Sequence, residues 1–249
     1  MRNTLKSVQA QGFKCIKTYY SQYYGLKIAD YASQFGLKIV LGIRMEESFR
    51  ENEIQVAIDS CKSFNNIIAI YAGNENLPNL AQSSDIINIK NRVKGAGCNV
   101  PFGTVQTIGY FLFQADRNLV NQMDWLGYNV YPFFSRLGGG SSGDSLRAQI
   151  GQLKNAYKDQ FSKFLISETG WPSSGGRSEQ GNEANIDNAR KYADQFASML
   201  CSGEINTNWV SYFTFFDPSY KQNVPEFEKH FGVSDRYGNP KWNVGNLHC

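Results

Sequence analysis

The sequence predicts an α/β fold, a (β/α)8 TIM barrel that lacks its first N-terminal strand. Short apolar runs of β-prone residues alternate with longer segments of helical period, which is the pattern of a parallel sheet. The composition shows no break along the 249 residues, and α/β barrels commonly have about this length. Only seven strands can be identified, and the chain opens in a helix rather than a strand.

The individual elements follow from length, side-chain type and end signals. The strands are predicted at Cys15–Tyr19, Lys38–Gly42, Ile67–Ala72, Val100–Thr104, Trp125–Val130, Lys163–Ser167 and Val210–Phe215. The helices are predicted at Leu5–Gln11, Asn52–Phe64, Asp85–Gly95, Asp144–Gln160 and Asn185–Leu200. A doubly wound sheet is the alternative, but no glycine-rich loop follows the first strand. We therefore expect residues 1–249 to form one barrel domain, with a Gly/Ser-rich loop at Arg136–Asp144.

Charge and hydropathy exclude two classes of partner. The net charge is +3, and no block of five like charges occurs, so we expect no nucleic acid. No apolar run reaches 18 residues, so we expect no membrane span. The segment after Met1 lacks the apolar centre of a signal peptide, so none is visible in this chain.

Cysteines and histidines are too few and too dispersed for a classical zinc site. The histidines are His230 and His248, and the cysteines are Cys15, Cys61, Cys98, Cys201 and Cys249. No Cys-x-x-Cys pair occurs, so we expect no metal and no cofactor. The cysteine pairing and the compartment remain open at this point.

Two glutamates follow apolar strands directly. The run "IIAIYAGNEN" brings Asn74 and Glu75 to the end of the third predicted strand, and "FLISETGWPS" brings Glu168 to the end of the sixth. Active sites of α/β barrels lie at the C-terminal ends of the strands. Two carboxyl groups there suit glycoside hydrolysis, in which one protonates the leaving oxygen and the other attacks the sugar or activates water.

Other chemistries fit the sequence less well. A serine hydrolase is disfavoured because there is no Gly-x-Ser-x-Gly elbow and because the histidines lie near the C-terminus. A metal-carboxylate site would need more acidic residues or histidines at strand ends, where Asp217 is the only further obvious one. The paired glutamates therefore favour a glycosidase.

Several motifs resemble glycoside hydrolase family 17, the β-1,3-glucanases and β-1,3-glucanosyltransferases, and the fungal cell-wall branch in particular. The motifs are "IKTYYS", "AGNE", "YNVYPFF", "SETGWPSSG", "FFDPSYK" and "FEKHFGV". They occur in family order from about residue 4 to residue 242, which is nearly the whole chain. The run Glu-Thr-Gly-Trp-Pro is highly specific, whereas Asn-Glu is shared with other barrel glycosidases.

The resemblance implies a retaining mechanism on β-1,3-glucan in cell-wall remodelling. Glu75 would be the general acid/base, and Glu168 would be the nucleophile that forms a covalent glycosyl-enzyme. Water as the acceptor gives hydrolysis and a second glucan gives transfer, so the sequence leaves both open. The family also implies a secreted or cell-wall location, and we expect a monomer.

Three polar side chains near the two glutamates are expected to assist them. Asn74 can hydrogen-bond the 2-hydroxyl of the sugar beside the broken bond. Tyr131, after "YNV", is expected on the strand between the two catalytic strands and can orient Glu168 by its hydroxyl. Tyr19 ends the first predicted strand and can line the same subsite.

Five further residues are expected to bind substrate. Trp171 offers an indole face for a sugar ring. Phe133 and Phe134 are assigned to the acceptor side, although core packing explains one of them equally well. Lys221 and Glu228 match polar family positions near the acceptor subsites, with a structural surface role as the alternative.

The N-terminus departs from the family pattern. No segment matches the family's first strand, and the two glutamates fall on the third and sixth visible strands rather than the fourth and seventh. We therefore expect an N-terminally truncated barrel with an unpaired edge at the first and last visible strands. Pro218 also stands where the family often has an acidic residue. The alternative functions are a non-catalytic glucan-binding or wall-structural protein and a glycosidase for another β-glucan.

Overall fold

The computed structural model describes residues 1–136, 141–205, 209–218 and 221–247. The chain divides into two compact units, one formed by residues 1–128 and 162–165 and the other by residues 129–161 and 166–249. The prediction of one domain over residues 1–249 stays a prediction. His248, Cys249 and residues 137–140 of the predicted Gly/Ser-rich loop lie outside the described residues.

The first unit alternates strands and helices from its N-terminus. Its strands are β1 (Cys15–Lys17), β2 (Gln22–Tyr23), β3 (Leu26–Lys27), β4 (Lys38–Ile43), β5 (Ile67–Asn74), β6 (Phe102–Thr107) and β7 (Trp125–Asn129). Its helices are α1 (Arg2–Ala10), α2 (Ile28–Gln34), α3 (Glu47–Ser63), α4 (Ser83–Gly95), α5 (Ile108–Phe113) and α6 (Arg117–Gln122). The strands β2 and β3 form a separate antiparallel hairpin.

One six-stranded sheet runs in the order β1-β4-β5-β6-β7-β8, where β8 is Phe164–Glu168. The pairs β1–β4, β4–β5 and β5–β6 are parallel. β4 is buried from its second residue onward, and β8 is buried throughout. Such continuous apolar runs are typical of parallel strands that are covered on both faces, which is why the sequence locates them well.

The second unit contains the remaining elements. They are α7 (Ser142–Tyr157), the end of β8, the hairpin strands β9 (Gly176–Arg177) and β10 (Glu183–Ala184), and α8 (Ile186–Cys201). Short 3-10 helices lie at Pro132–Phe134, Lys158–Lys163, Glu226–Lys229 and Val244–Leu247. Both long helices of this unit begin at a capping side chain, since Ser141 accepts from the Asp144 N–H and Asn185 accepts from the Asn188 N–H.

Six of the seven predicted strands are present, and the predicted strand Val210–Phe215 is wrong as a regular strand. The Ser211 and Phe213 N–H groups donate to the carbonyls of Ile166 and Thr169, beside β8. Thr214 then donates to the Phe231 carbonyl instead. The segment thus leaves β8 after two hydrogen bonds, because its backbone pairs next with a loop.

All five predicted helices are present, within a few residues at each end. Three short helices were not predicted, namely α2, α5 and α6, which have 7, 6 and 6 residues. Helices this short span fewer than two full turns, so an apolar period cannot be recognised in them.

Candidate active site

The Asn74–Glu75 pair lies where β5 ends. The register between β5 and β6 shifts between Tyr71 and Asn74, as in a β-bulge, and such bulges often re-aim side chains next to active sites. Glu75 is exposed and has a left-handed backbone with φ of 53°. Its N–H donates to the Val105 carbonyl at 2.9 Å. A residue with a side chain in this conformation costs of order 1 kcal/mol, and such residues concentrate at functional sites.

Buried amides fix the turn that carries Glu75. Gly73 has φ of +78°, and a Cβ there would lie 2.3 Å from Asn76 Oδ1. Asn76 is buried, and its Oδ1 accepts from Gln106 Nε2 at 3.3 Å. Gln106 Oε1 in turn accepts from the Leu77 N–H at 3.2 Å. The conformation of Glu75 is therefore fixed by Gly73 before it and by the Asn76–Gln106 pair after it. Neither amide was predicted from the sequence.

Asn74 and Tyr19 share a lysine that the sequence analysis missed. Lys17 Nζ donates to Asn74 Oδ1 at 3.0 Å, and it lies 4.7 Å from the centroid of the Tyr19 ring. Tyr19 and Asn74 also line one cavity. The side-chain amide of Asn74 is thus oriented, which a residue that binds a sugar hydroxyl requires. Lys17 is the last residue of β1 and lies two residues before Tyr19, so the alternation of the predicted strand was the signal that could have found it.

Glu168 is positioned in a different way. It is the last residue of β8, it is only 6% exposed, and its carbonyl accepts from the Val130 N–H at 2.9 Å. The predicted contact with Tyr131 is present, since the Tyr131 hydroxyl donates to Glu168 Oε2 at 2.7 Å. The Tyr131 ring packs edge-on against Phe213 and Phe231. The carboxylate is therefore held by a rigid strand and a packed tyrosine.

The residue after Glu168 is anchored in the core. Thr169 is fully buried, and its hydroxyl shares a hydrogen bond with the Tyr192 hydroxyl on α8. Burial raises the pKa of Tyr192 above its ordinary value, while the hydrogen bond with Thr169 opposes that rise. Tyr192 therefore stays a neutral phenol at ordinary pH, which ties the end of β8 to α8.

Two of the predicted sugar-stacking residues are buried. Phe133 is fully buried and Trp171 is 6% exposed, and their rings pack edge-on with centroids 5.2 Å apart. Trp171 Nε1 donates to the Glu183 carbonyl at 2.9 Å. These rings belong to an aromatic core that closes off Phe133, whereas Trp171 also lines a cavity, so its role in stacking a sugar stays a prediction. Aromatic residues in a motif look the same in sequence whether they pack inward or outward.

Phe134, Lys221 and Glu228 are accessible. Phe134 is 42% exposed, and it lines a cavity together with Phe227 and Glu228. Lys221 Nζ lies 2.6 Å from Glu228 Oε2, and both side chains are about a quarter exposed. Lys221 Nζ also lies 5.5 Å from the Phe213 ring centroid. The structure thus pairs the two polar residues with each other, and their acceptor-side role stays a prediction.

A lysine that the sequence analysis missed holds the loop after Glu168. Lys241 Nζ donates to Asp217 Oδ1 at 2.7 Å and to Ser173 Oγ at 2.7 Å. Asp217 also accepts from the Gly232 N–H at 2.9 Å. Asp217, which the sequence suggested only as an isolated candidate metal ligand, therefore connects Lys241 to the loop at Gly232. Contacts this distant in sequence leave no local pattern.

In residues 1–136, 141–205, 209–218 and 221–247, no group of three or more His, Cys, Asp and Glu side chains is arranged to hold a metal ion. Within those same ranges, no helix combines the length and the apolar character that crossing a bilayer requires.

Comparison with known families gives one match over most of the chain. Residues 1–232 match the model of the BtgE/BtgC glycoside hydrolase domain. The "probable glucan endo-1,3-beta-glucosidase" of Aspergillus clavatus is 28% identical over 193 residues, which cover 73% of this chain and 38% of that protein. A glucan endo-1,3-beta-glucosidase of Pisum sativum is 30% identical over 51% of this chain and 38% of its own length. The matches thus span well under half of these relatives.

Comparison with solved structures identifies the fold. A glycoside hydrolase family 17 beta-1,3-glucanosyltransferase from Rhizomucor miehei superposes with a TM-score of 0.80 at 22% identity, covering 99% of this chain and 90% of that one. A mutant of the same enzyme, solved with laminaritriose, has a TM-score of 0.79. This likeness confirms the α/β barrel class. Together with the family match, it confirms the resemblance drawn from the motifs.

Proposed function

Because the chain belongs to the family of BtgE/BtgC glycoside hydrolase domains, we propose that it is a retaining enzyme acting on β-1,3-glucan. Glu168 is the nucleophile and Glu75 the general acid/base of a single catalytic domain. The observation that carries the proposal is the Glu168 carboxylate, which is buried at the end of β8 and hydrogen-bonded by Tyr131 at 2.7 Å. A nucleophile must be held in one orientation to attack, and this carboxylate is so held.

The proposed reaction has two steps. Glu168 attacks the anomeric carbon, the bond from that carbon to the glycosidic oxygen breaks, and the oxygen takes the proton of Glu75. Glu75 then takes a proton from the acceptor, whose oxygen attacks the anomeric carbon and releases Glu168. Asn74, oriented by Lys17, donates to the 2-hydroxyl of the sugar at the cleaved bond.

We propose that the acceptor is water or a second glucan, with the balance set on the acceptor side. The curated relatives are named endo-1,3-beta-glucosidases, and the superposed structure is named a glucanosyltransferase. The accessible Phe134 and the Lys221–Glu228 pair supply an aromatic face and polar groups for an acceptor sugar. Tight binding of a glucan there would favour transfer over hydrolysis.

We also propose that the protein works outside the cell, at the cell wall. A disulfide joins Cys61 to Cys98 across 37 residues, and such bonds persist in oxidising compartments. If the disulfide is structural, a reducing agent lowers the free energy of unfolding by about 2–4 kcal/mol.

We propose that the barrel lacks the first strand of its family. Among the described strands, β1 pairs with β4 alone and β8 is last in the order at the other side. We expect that fusing a strand ahead of Met1 raises the melting temperature and turnover. Equal melting temperature and turnover with and without it would contradict this expectation.

Incubation with a defined β-1,3-oligosaccharide tests the proposal. Products shorter than the starting chain indicate hydrolysis, and longer products indicate transfer. Retention is read from the anomer that forms first. The absence of any product, with retained binding, would replace the enzyme with a glucan-binding protein.

A further inference from the structure

A cavity in the first unit has a wall that the proposed chemistry does not use. The cavity is lined by Tyr19, Tyr20, Ile43, Arg44, Met45, Glu46, Gly73, Asn74, Asn76 and Leu80. On one side it is formed by the residues at the end of β5, and on the other by the residues that follow β1 and β4. The cavity therefore joins Asn74 to groups that the proposed chemistry does not use.

An arginine of this wall lies against two aromatic rings. The Arg44 guanidinium carbon lies 5.4 Å from the Tyr20 ring centroid and 4.0 Å from the Phe49 ring centroid. Arg44 Nε lies 2.8 Å from Glu46 Oε1. We name Tyr20, Arg44 and Phe49 the arginine clamp. Stacking and the ion pair hold the planar guanidinium in place and leave its terminal N–H groups as donors.

The clamp is accessible from solvent. Tyr20 is 41% exposed and Phe49 is 47% exposed, while the Arg44 side chain is 32% exposed. In the part of the chain that the structure describes, the terminal nitrogens of Arg44 have no hydrogen-bond acceptor. Aromatic rings beside a planar donor match the chemistry of a sugar, whose C–H face packs on rings and whose hydroxyls accept hydrogen bonds.

The backbone behind Tyr20 is fixed before any ligand arrives. Ser21 is fully buried, and its N–H and hydroxyl both donate to Glu53 Oε2, at 2.6 Å and 2.9 Å. Gly42 allows the Thr18–Tyr19 backbone to pass close to β4, because a Cβ there would lie 2.4 Å from the Thr18 carbonyl oxygen. A wall that is rigid in advance loses little entropy on binding.

We propose that the arginine clamp binds a sugar unit of a β-1,3-glucan chain beyond the unit held by Asn74, and so makes the enzyme prefer long chains. The inference rests on the proposed function, which places Asn74 at the cleaved bond. A neutral, hydroxyl-rich chain is favoured over an anionic ligand because Glu46 already neutralises Arg44. The clamp is thus a specificity-determining element distant from the two carboxylates.

Substrate length tests the proposal. The ratio of kcat/KM on a seven-unit to that on a three-unit β-1,3-oligosaccharide is measured for Arg44→Met and Phe49→Ala. We expect each substitution to lower this ratio about tenfold, as the loss of one hydrogen bond from a charged group or one stacking contact predicts. Arg236→Met is the matched control, because Arg236 also stacks on an exposed tyrosine, Tyr237, at 4.7 Å.

Each result separates the inference from the proposed function. If the chains are cleaved but the kcat/KM ratio is unchanged in both clamp variants, the clamp proposal is refuted and the proposed enzyme function is not. The same holds if Arg236→Met lowers the ratio equally. If no chain is cleaved, calorimetry with the seven-unit chain decides. Phe49→Ala removes only an exposed ring. If it weakens binding of the seven-unit chain about tenfold, the clamp proposal is supported although the protein is not an enzyme. Absence of binding, or equal binding by wild type and variants, overturns the clamp.

Discussion

The two glutamates of the proposed mechanism are held in opposite ways. Glu75 is exposed, in a left-handed turn beyond the end of β5, and the turn is supported by buried amides. Glu168 is buried within β8 and receives a tyrosine hydroxyl. The difference corresponds to the two proposed roles. An acid/base exchanges protons with solvent or an acceptor, whereas a nucleophile needs one fixed direction of attack.

Substitution of Glu168 is expected to have the largest effect on turnover. Glu168→Gln removes the nucleophile, so we expect turnover of β-1,3-glucan to fall by at least about 10⁴-fold, measured as released reducing ends. Binding of the oligosaccharide should persist, since the amide has the same shape. Glu47→Gln, an exposed glutamate on α3, is the control and should keep full activity. Unchanged turnover in Glu168→Gln would refute the assignment.

Glu75→Gln should give a smaller loss that depends on the leaving group. We expect turnover of glucan to fall about 10³-fold, because the leaving oxygen is no longer protonated. An aryl glycoside with an acidic phenol leaves without that proton, so its first step should be much less impaired. Added azide, which needs no general base, should restore the second step. An equal loss on both substrates would show that Glu75 is not the acid/base.

Tyr131→Phe tests whether the buried carboxylate depends on its hydrogen bond. The variant keeps the ring that packs on Phe213 and Phe231, so the melting temperature should change little. We expect kcat to fall about 10- to 100-fold, since a hydrogen bond to a charged group contributes about 1.5–3 kcal/mol. Tyr237→Phe, at an exposed tyrosine, is the control. A loss of stability without a change in kcat would assign Tyr131 to packing alone.

The smallest expected effect concerns the stability of the first unit rather than either glutamate. Partial burial acts to raise the pKa of Asp124, but hydrogen bonds from Lys90, the Phe102 N–H and Lys94 lower it below its ordinary value. The stability that these contacts supply is therefore present above the ordinary pKa and is lost as the pH falls through the folded value.

Asp124→Asn should accordingly destabilise the protein by about 1 kcal/mol at pH 7, because the side chain is partly exposed and its ion pairs are screened. The difference between wild type and variant should shrink towards pH 2 in urea unfolding. Asp159→Asn, at an exposed aspartate, should show no such trend. A constant difference at all pH values would contradict the ionic origin.

Strand positions were predictable because buried parallel strands are continuous apolar runs, and β4, β5 and β8 lie where those runs are. The placement of Asn74 and Glu168 at strand ends followed from the same runs. Val210–Phe215 shows the limit, because its apolar content is that of a strand although its hydrogen bonds pass to a loop. The local apolar pattern of a sequence indicates which residues are buried, but it does not indicate their hydrogen-bond partners.

The sequence by itself predicted the fold class, the strand ends at Asn74 and Glu168, and the contact of Tyr131 with Glu168, because each follows from an apolar strand or a motif. Only the tertiary structure decided that Phe133 and Trp171 pack inward while Phe134 faces solvent. Only it joined Lys17 to Asn74 and placed Arg44 against the rings of Tyr20 and Phe49. Those outcomes depend on side chains that are distant in the chain and adjacent in space, and a local pattern does not encode such distances.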